Sequence, residues 1–160
     1  MRPRAARRLA AIGVLVAAAC APAVAGGSRP TEAQRRAIRD EVGAMLVRAA
    51  GNWNRGDLDA FVDDYLPGDS TTFIGKGVLR GPAAIRRAYA PRFAPGATRD
   101  SLSFVLLDVD ALTPDVANVI ATYVLARRVG ARDSVTAQGP TSLVMRRVNG
   151  RWRIVHDHSS

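Results

Sequence analysis

Residues 141–160 read TSLVMRRVNGRWRIVHDHSS, and this stretch decides the fold. Two runs rich in β-branched and apolar residues flank Asn149-Gly150. An Asn-Gly pair between such runs is a strong hairpin signal, because a tight two-residue turn needs positive φ at both positions. Residues 134–148 are therefore read as one strand and residues 151–158 as the last. Gly139-Pro140 is expected to interrupt the first of these, since proline cannot donate to a ladder.

Upstream the pattern stays β-like as far as Pro95-Gly96. Residues 116–128 are dense in β-branched side chains and read as a long strand, with residues 101–110 as the one before it. Four strands in sequence, joined by short turns, predict an antiparallel meander.

The half before Pro95 has helical spacing instead. Thr31 and Gln34 have capping-box spacing, and Ile38, Val42, Met45, Leu46, Ala49 and Trp53 follow as one apolar stripe. Gly56 ends this helix. Asp57 caps a second, whose inner face is Leu58, Phe61, Val62 and Tyr65. Residues 71–74 and 78–79 form a short hairpin around Gly75-Lys76-Gly77. Gly81-Pro82 opens a third helix with Ile85, Ala88, Tyr89 and Phe93 inward, and Pro91 ends or kinks it.

The N-terminus reads differently from the rest. Arg2, Arg4, Arg7 and Arg8 precede an unbroken apolar run at residues 9–19, followed by small residues. This is the layout of a secretory signal, and the run is too short to span a bilayer as a stable helix. Two cleavage readings stand: after Ala25, giving a signal peptide at 1–25, or before Cys20, giving a lipoprotein signal at 1–19. Residues 26–30 are then a linker and 31–160 the mature domain. The chain is expected to be exported, periplasmic or secreted, with a membrane link only through a lipid anchor at Cys20. Cys20 is the one cysteine, so the domain must be stable without a disulfide.

A length of 160 residues with 48% hydrophobic side chains suits one domain with a real core. The formal charge of +9 overstates the basicity of that domain. Without the four N-terminal arginines the balance is 19 basic against 14 acidic residues. Arg127, Arg128, Arg146 and Arg147 lie on strand-like segments without interleaved aromatics, so no nucleic-acid partner is expected.

Two motifs now come together: Trp53-Asn54-Arg55-Gly56-Asp57-Leu58-Asp59-Ala60-Phe61, and the C-terminal Gly150-Arg151-Trp152-Arg153-Ile154-Val155-His156-Asp157-His158-Ser159-Ser160. With Gly81-Pro82-Ala83-Ala84-Ile85 between them, the chain resembles the nuclear transport factor 2-like (SnoaL-like) superfamily. The likeness is to its SgcJ-type and calcium/calmodulin-dependent kinase II association-domain branch. The resemblance covers residues 31–160. It implies an α+β cone, in which three N-terminal helical segments pack into a curved antiparallel sheet with a pocket at the open end. It also implies homodimers or larger rings. Function does not follow from such a fold.

On a regular strand alternate residues share a face, so Trp152, Ile154, His156 and His158 fall on one side and Arg153, Val155 and Asp157 on the other. If Trp152 and Ile154 mark the inner side, His156 and His158 stand at the pocket mouth as acid/base candidates, since imidazole titrates near neutral pH. Asp157 then points outward. The alternative is that both rings merely bond nearby backbone or water. Two histidines are too few for a metal site, and no metal is expected. Trp53, Tyr65, Tyr89, Tyr123 and Trp152 are candidate ligand-binding aromatics, or ordinary core residues with polar tips. Asp64 sits near the core boundary, where a desolvated carboxylate would serve as a base; the alternative, and the expected one, is that Asp63 and Asp64 are both solvated. No phosphate loop or Ser-His-Asp arrangement is visible, and no cofactor is expected.

Two functions from different classes fit. One is a binding or assembly module holding a small apolar molecule or a partner. The other is a cofactor-independent lyase, isomerase or hydrolase using a pocket histidine. A homo-oligomer is expected, because Val119, Ile120, Val124 and Leu125 put apolar side chains on both faces of one strand.

Overall fold

The computed structural model describes residues 29–160. The signal-peptide and lipoprotein-signal readings lie outside these residues. Three helical segments come first: α1 (Glu32–Arg55), α2 (Leu58–Val62) and α3 (Gly81–Tyr89), the last continued by a 3₁₀ turn at Ala90–Phe93. A hairpin of β1 (Thr72–Ile74) and β2 (Val78–Arg80) is inserted before α3. The meander follows as β3 (Ser101–Thr113), β4 (Val116–Val129), β5 (Arg132–Val148) and β6 (Arg151–Ser159).

The ends of α1 are fixed locally. Thr31 Oγ1 accepts from the Gln34 amide while Gln34 Oε1 accepts from the Thr31 amide, which satisfies two orphan donors at once. Gly56 closes the helix with φ 82°, a conformation that costs glycine little. The six stripe residues are all buried, and α1 lies against β3 and β6. Asn54 extends the contact by bonding both the amide and the carbonyl of Leu102, in the manner of a ladder partner.

The six strands form one open sheet in the order β2-β1-β6-β5-β4-β3. Asn149 and Gly150 have φ 51° and 74°, so the β5–β6 turn has the two positive values that its sequence requires. The sheet is mixed rather than wholly antiparallel, because β1 pairs in parallel with β6. Three-residue strands carry no partner information of their own. Their direction is set by what surrounds them: residues 64–66 also bond Ile154 in parallel, and β1 continues that line along β6.

The expected break at Gly139-Pro140 is absent, and β5 runs through it. The Pro140 carbonyl accepts from the Ser160 amide, so its missing N–H faces the same side, where β6 is ending. No ladder bond to β4 is lost. Extra residues are accommodated at Leu107 and Leu112 in β3, Thr136 in β5 and Val155 in β6. Such bulges bend and twist strands, and here they curl the sheet around the helices.

Candidate active site in the sheet-lined cavity

A cavity of about 500 Å³ lies between α1, α3, the β1–β2 hairpin and the inner faces of β3–β6. One wall is aromatic. Trp53 meets Phe61, Tyr89 and Phe93 edge-to-face, with ring centroids 5.2, 5.5 and 5.1 Å apart. Tyr89 also packs edge-on against Phe61 and Phe73. Each such pair adds roughly 0.5–1.5 kcal/mol beyond area burial and fixes ring orientation. Trp53 donates its Nε1–H to the Asp100 carbonyl at 2.9 Å, which leaves its ring face as wall. The Tyr89 hydroxyl has no hydrogen-bond partner among the described residues. Burial, and then the nearby Asp157 carboxylate, push its pKa up.

The floor is polar and centres on Asp157. Tyr65 donates to Asp157 Oδ2 at 2.7 Å, and Ser159 to Oδ1 at 2.7 Å. Thr141 donates more weakly to Oδ1 at 3.4 Å and also contacts the Ser159 hydroxyl. Asp157 is only 7% exposed. Burial pushes its pKa above the usual aspartate range, and the hydroxyl bonds, Tyr65 foremost, pull it back without cancelling that effect. Tyr65 is held well above the ordinary phenol value, first by burial and then by the Asp157 charge.

A second buried acid lines the same cavity. Asp64 is anchored by the parallel backbone bond from Ile154 N to Asp64 O, and its Oδ1 accepts from Arg48 Nη2 at 2.7 Å. Its Oδ2 is buried with no partner. Burial raises its pKa against the pull of Arg48. Asp63 is exposed and pairs with Arg151 and Arg153.

The structure reverses the strand parity expected from sequence. Asp157 faces the cavity, while His156 and His158 do not line it. His156 Nδ1 is 2.6 Å from Thr72 Oγ1 at the β1–β6 junction, and His158 is exposed. The cause is the bulge. Met145 pairs with Ile154 and Val144 with His156, so Val155 is an extra residue that shifts all later side chains by one face. Trp152 is also displaced from its expected role. It is buried but does not line the cavity; its Nε1–H donates to Glu41, and the Arg147 guanidinium lies 4.9 Å from its ring centroid. It clips α1 to β6.

Trp53, Tyr65, Tyr89 and Tyr123 do line the cavity. Tyr123 donates to the Ser160 carbonyl at 3.3 Å. Sequence reasoning missed Asp157 as an inward group, along with its partners Thr141 and Ser159. A bulge leaves no mark in the sequence pattern. Asp64 was legible as a boundary residue, but not its pairing with Arg48 across sixteen positions.

The comparisons with known proteins agree with this architecture. Residues 42–160 match the family model described as SnoaL-like domain. No curated protein matches the chain. A nuclear transport factor 2-like protein of unknown function from Shewanella oneidensis is 26% identical, with a TM-score of 0.66 over 77% of this chain and 98% of that one. A Catenulispora acidiphila structure in complex with S-DNPA is 17% identical, with a TM-score of 0.64 over 78% and 94%. A calcium/calmodulin-dependent protein kinase II association-domain-like protein of Xanthomonas campestris is 20% identical, with a TM-score of 0.58 over 75% and 84%. These neighbours share the curved sheet and N-terminal helices, and the match over residues 42–160 means that the chain belongs to the SnoaL-like domain family, of nuclear transport factor 2-like fold.

Proposed function

We propose that the domain holds one small, mainly apolar molecule in this cavity, with a polar oxygen of that molecule received at Asp157 and Tyr89. The observation that carries the reading is the buried Asp157 carboxyl, fixed by Tyr65 at the inner end of an aromatic-walled cavity of about 500 Å³. Cavities of roughly 300–1,000 Å³, apolar with a few fixed polar groups, are where proteins bind small molecules. That a chain of this fold forms a complex with S-DNPA supports a ligand-holding role. The neutral fluorophore N-phenyl-naphthylamine tests the reading. It should bind one per chain, and Ala88→Trp, which intrudes from the exposed side of α3, should abolish binding without unfolding the protein. Undiminished binding to that variant would place the probe elsewhere.

The same carboxyl supports a second reading, in which the domain is a lyase, isomerase or hydrolase. An aspartate whose pKa is raised by burial exchanges protons nearer neutral pH, as acid/base catalysis needs. The role expected of His156 and His158 passes to Asp157 in this reading, with Tyr89 as the donor that stabilises developing charge on oxygen. Asp157→Asn should then abolish turnover while leaving binding within severalfold.

Export and self-association complete the proposal. The arginine-rich start and apolar run at residues 9–19 support export. The exposed apolar side chains Val105, Leu107 and Leu112 of edge strand β3 support a second copy as partner.

A further inference from the structure

Charge along the cavity is polarised. Its buried groups include two acids, Asp64 and Asp157. The cations among its lining residues are Lys76 and Arg92, and both are exposed, which places them at the mouth. Half of the arginines among the described residues are paired with an acid, among them Arg48 with Asp64, Arg86 with Asp59, Arg127 with Asp100, Arg128 with Asp133, Arg147 with Glu41 and Arg151 with Asp63. Lys76 and Arg92 have no such partner among the described residues. Arg92 is set against the wall, with its guanidinium carbon 6.0 Å from the Trp53 ring centroid. Lys76 is the only lysine in a chain with 22 arginines, and it stands between Gly75 and Gly77 at the tip of the β1–β2 hairpin. A flexible stem at a glycine-flanked tip lets its ammonium follow a bound group.

We infer that the molecule held in this cavity is a mainly apolar monocarboxylate, oriented with its carboxylate at the mouth, where Lys76 and Arg92 stand, its apolar body among the aromatics, and any second, uncharged oxygen at Asp157 and Tyr89. This rests on the cavity being a ligand site. The orientation follows from charge. A carboxylate at the inner end would face the buried Asp157 carboxyl, which disfavours a second anion, whereas at the mouth it meets two cations with no acid within ion-pair distance among the described residues. Two side-chain cations match the single negative charge of a carboxylate.

Displacement of N-phenyl-naphthylamine by three probes of one chain length, decanoate, decanol and decylamine, tests this. Decanoate should compete about tenfold more tightly than decanol at low salt, with decylamine weakest, and the preference should shrink as salt rises. Lys76→Met and Arg92→Met, both at exposed positions, should each lower decanoate affinity about threefold or more relative to decanol affinity. If the fluorophore binds but decanol equals decanoate, or if the double variant keeps the preference, the anion assignment is overturned and the cavity reading stands. If the fluorophore does not bind in the cavity, both fall.

Discussion

At the scale of single residues, Asp157 has the most to lose from its surroundings. Its folded pKa is raised, chiefly by burial. The folded state therefore holds the proton more tightly than the unfolded chain does, and the linked stability is full at low pH and is lost as pH rises through the folded pKa. Asp157→Asn removes that dependence and keeps an acceptor for the Tyr65 hydroxyl. The variant should lose ground against the parent in acid and gain on it as pH climbs above the ordinary aspartate range, as read by urea denaturation at stepped pH. A difference that is flat with pH would mean that the carboxyl is not desolvated as the fold implies. Asp64 is raised for the same reason and contributes in the same direction, so the comparison must be of single variants. Tyr65, buried at 3% exposure, follows Asp64 in sequence and bonds Asp157 in space.

At the scale of elements, the close of the cavity depends on a glycine in β5. A Cβ on Gly139 would lie 1.8 Å from the Ser160 carbonyl oxygen and 3.1 Å from the Tyr123 ring. Glycine inside a strand often marks such an approach of another backbone. Gly139→Ala should push the last residues off β5, break the Tyr123–Ser160 bond and open the cavity wall beside Ser159. The expected cost is about 1–2 kcal/mol of stability, the range of an overpacked close contact. Fluorophore affinity should fall with it; unchanged stability and binding would show that the last residues do not seal the cavity. The α1–β6 clip works differently. Glu41 accepts from both Trp152 and Arg147, so one carboxylate ties a helix to two strands.

At the scale of the whole molecule, the sheet has an inner and an outer surface and only the inner is filled. Val119 and Ala121 of β4 are buried, whereas Ile120, Thr122 and Val124 on the other face are half-buried. Val105 and Leu107 of β3 continue that outer surface at 53% and 55% exposure. A contiguous apolar surface of this kind is usually covered in solution, most simply by its own copy about a two-fold axis. Light scattering at micromolar concentration should give a dimer or larger, and Val105→Asp should shift it toward monomer with the thermal transition lowered. A monomeric parent protein would remove this reading and leave the fold unaffected.

The sequence by itself determined the elements and their order. Capping at Thr31, the stripe from Ile38 to Trp53, the Pro82 start of α3 and the Asn149-Gly150 turn are all local, since each depends on residues within about a turn of one another. The aromatic wall was legible for the same reason: Trp53 and Tyr89 lie on inner helix faces. Tertiary structure decided which way the last strand's chemistry points. The Val155 bulge lies in the pairing of β6 with β5, and its one extra residue exchanges the faces of Asp157 and the two histidines. It also decided that β1 runs parallel to β6, that Arg48 reaches Asp64, and that Trp152 serves Glu41 rather than the cavity. Each of these depends on contacts between segments distant in the chain, which periodicity and spacing do not encode.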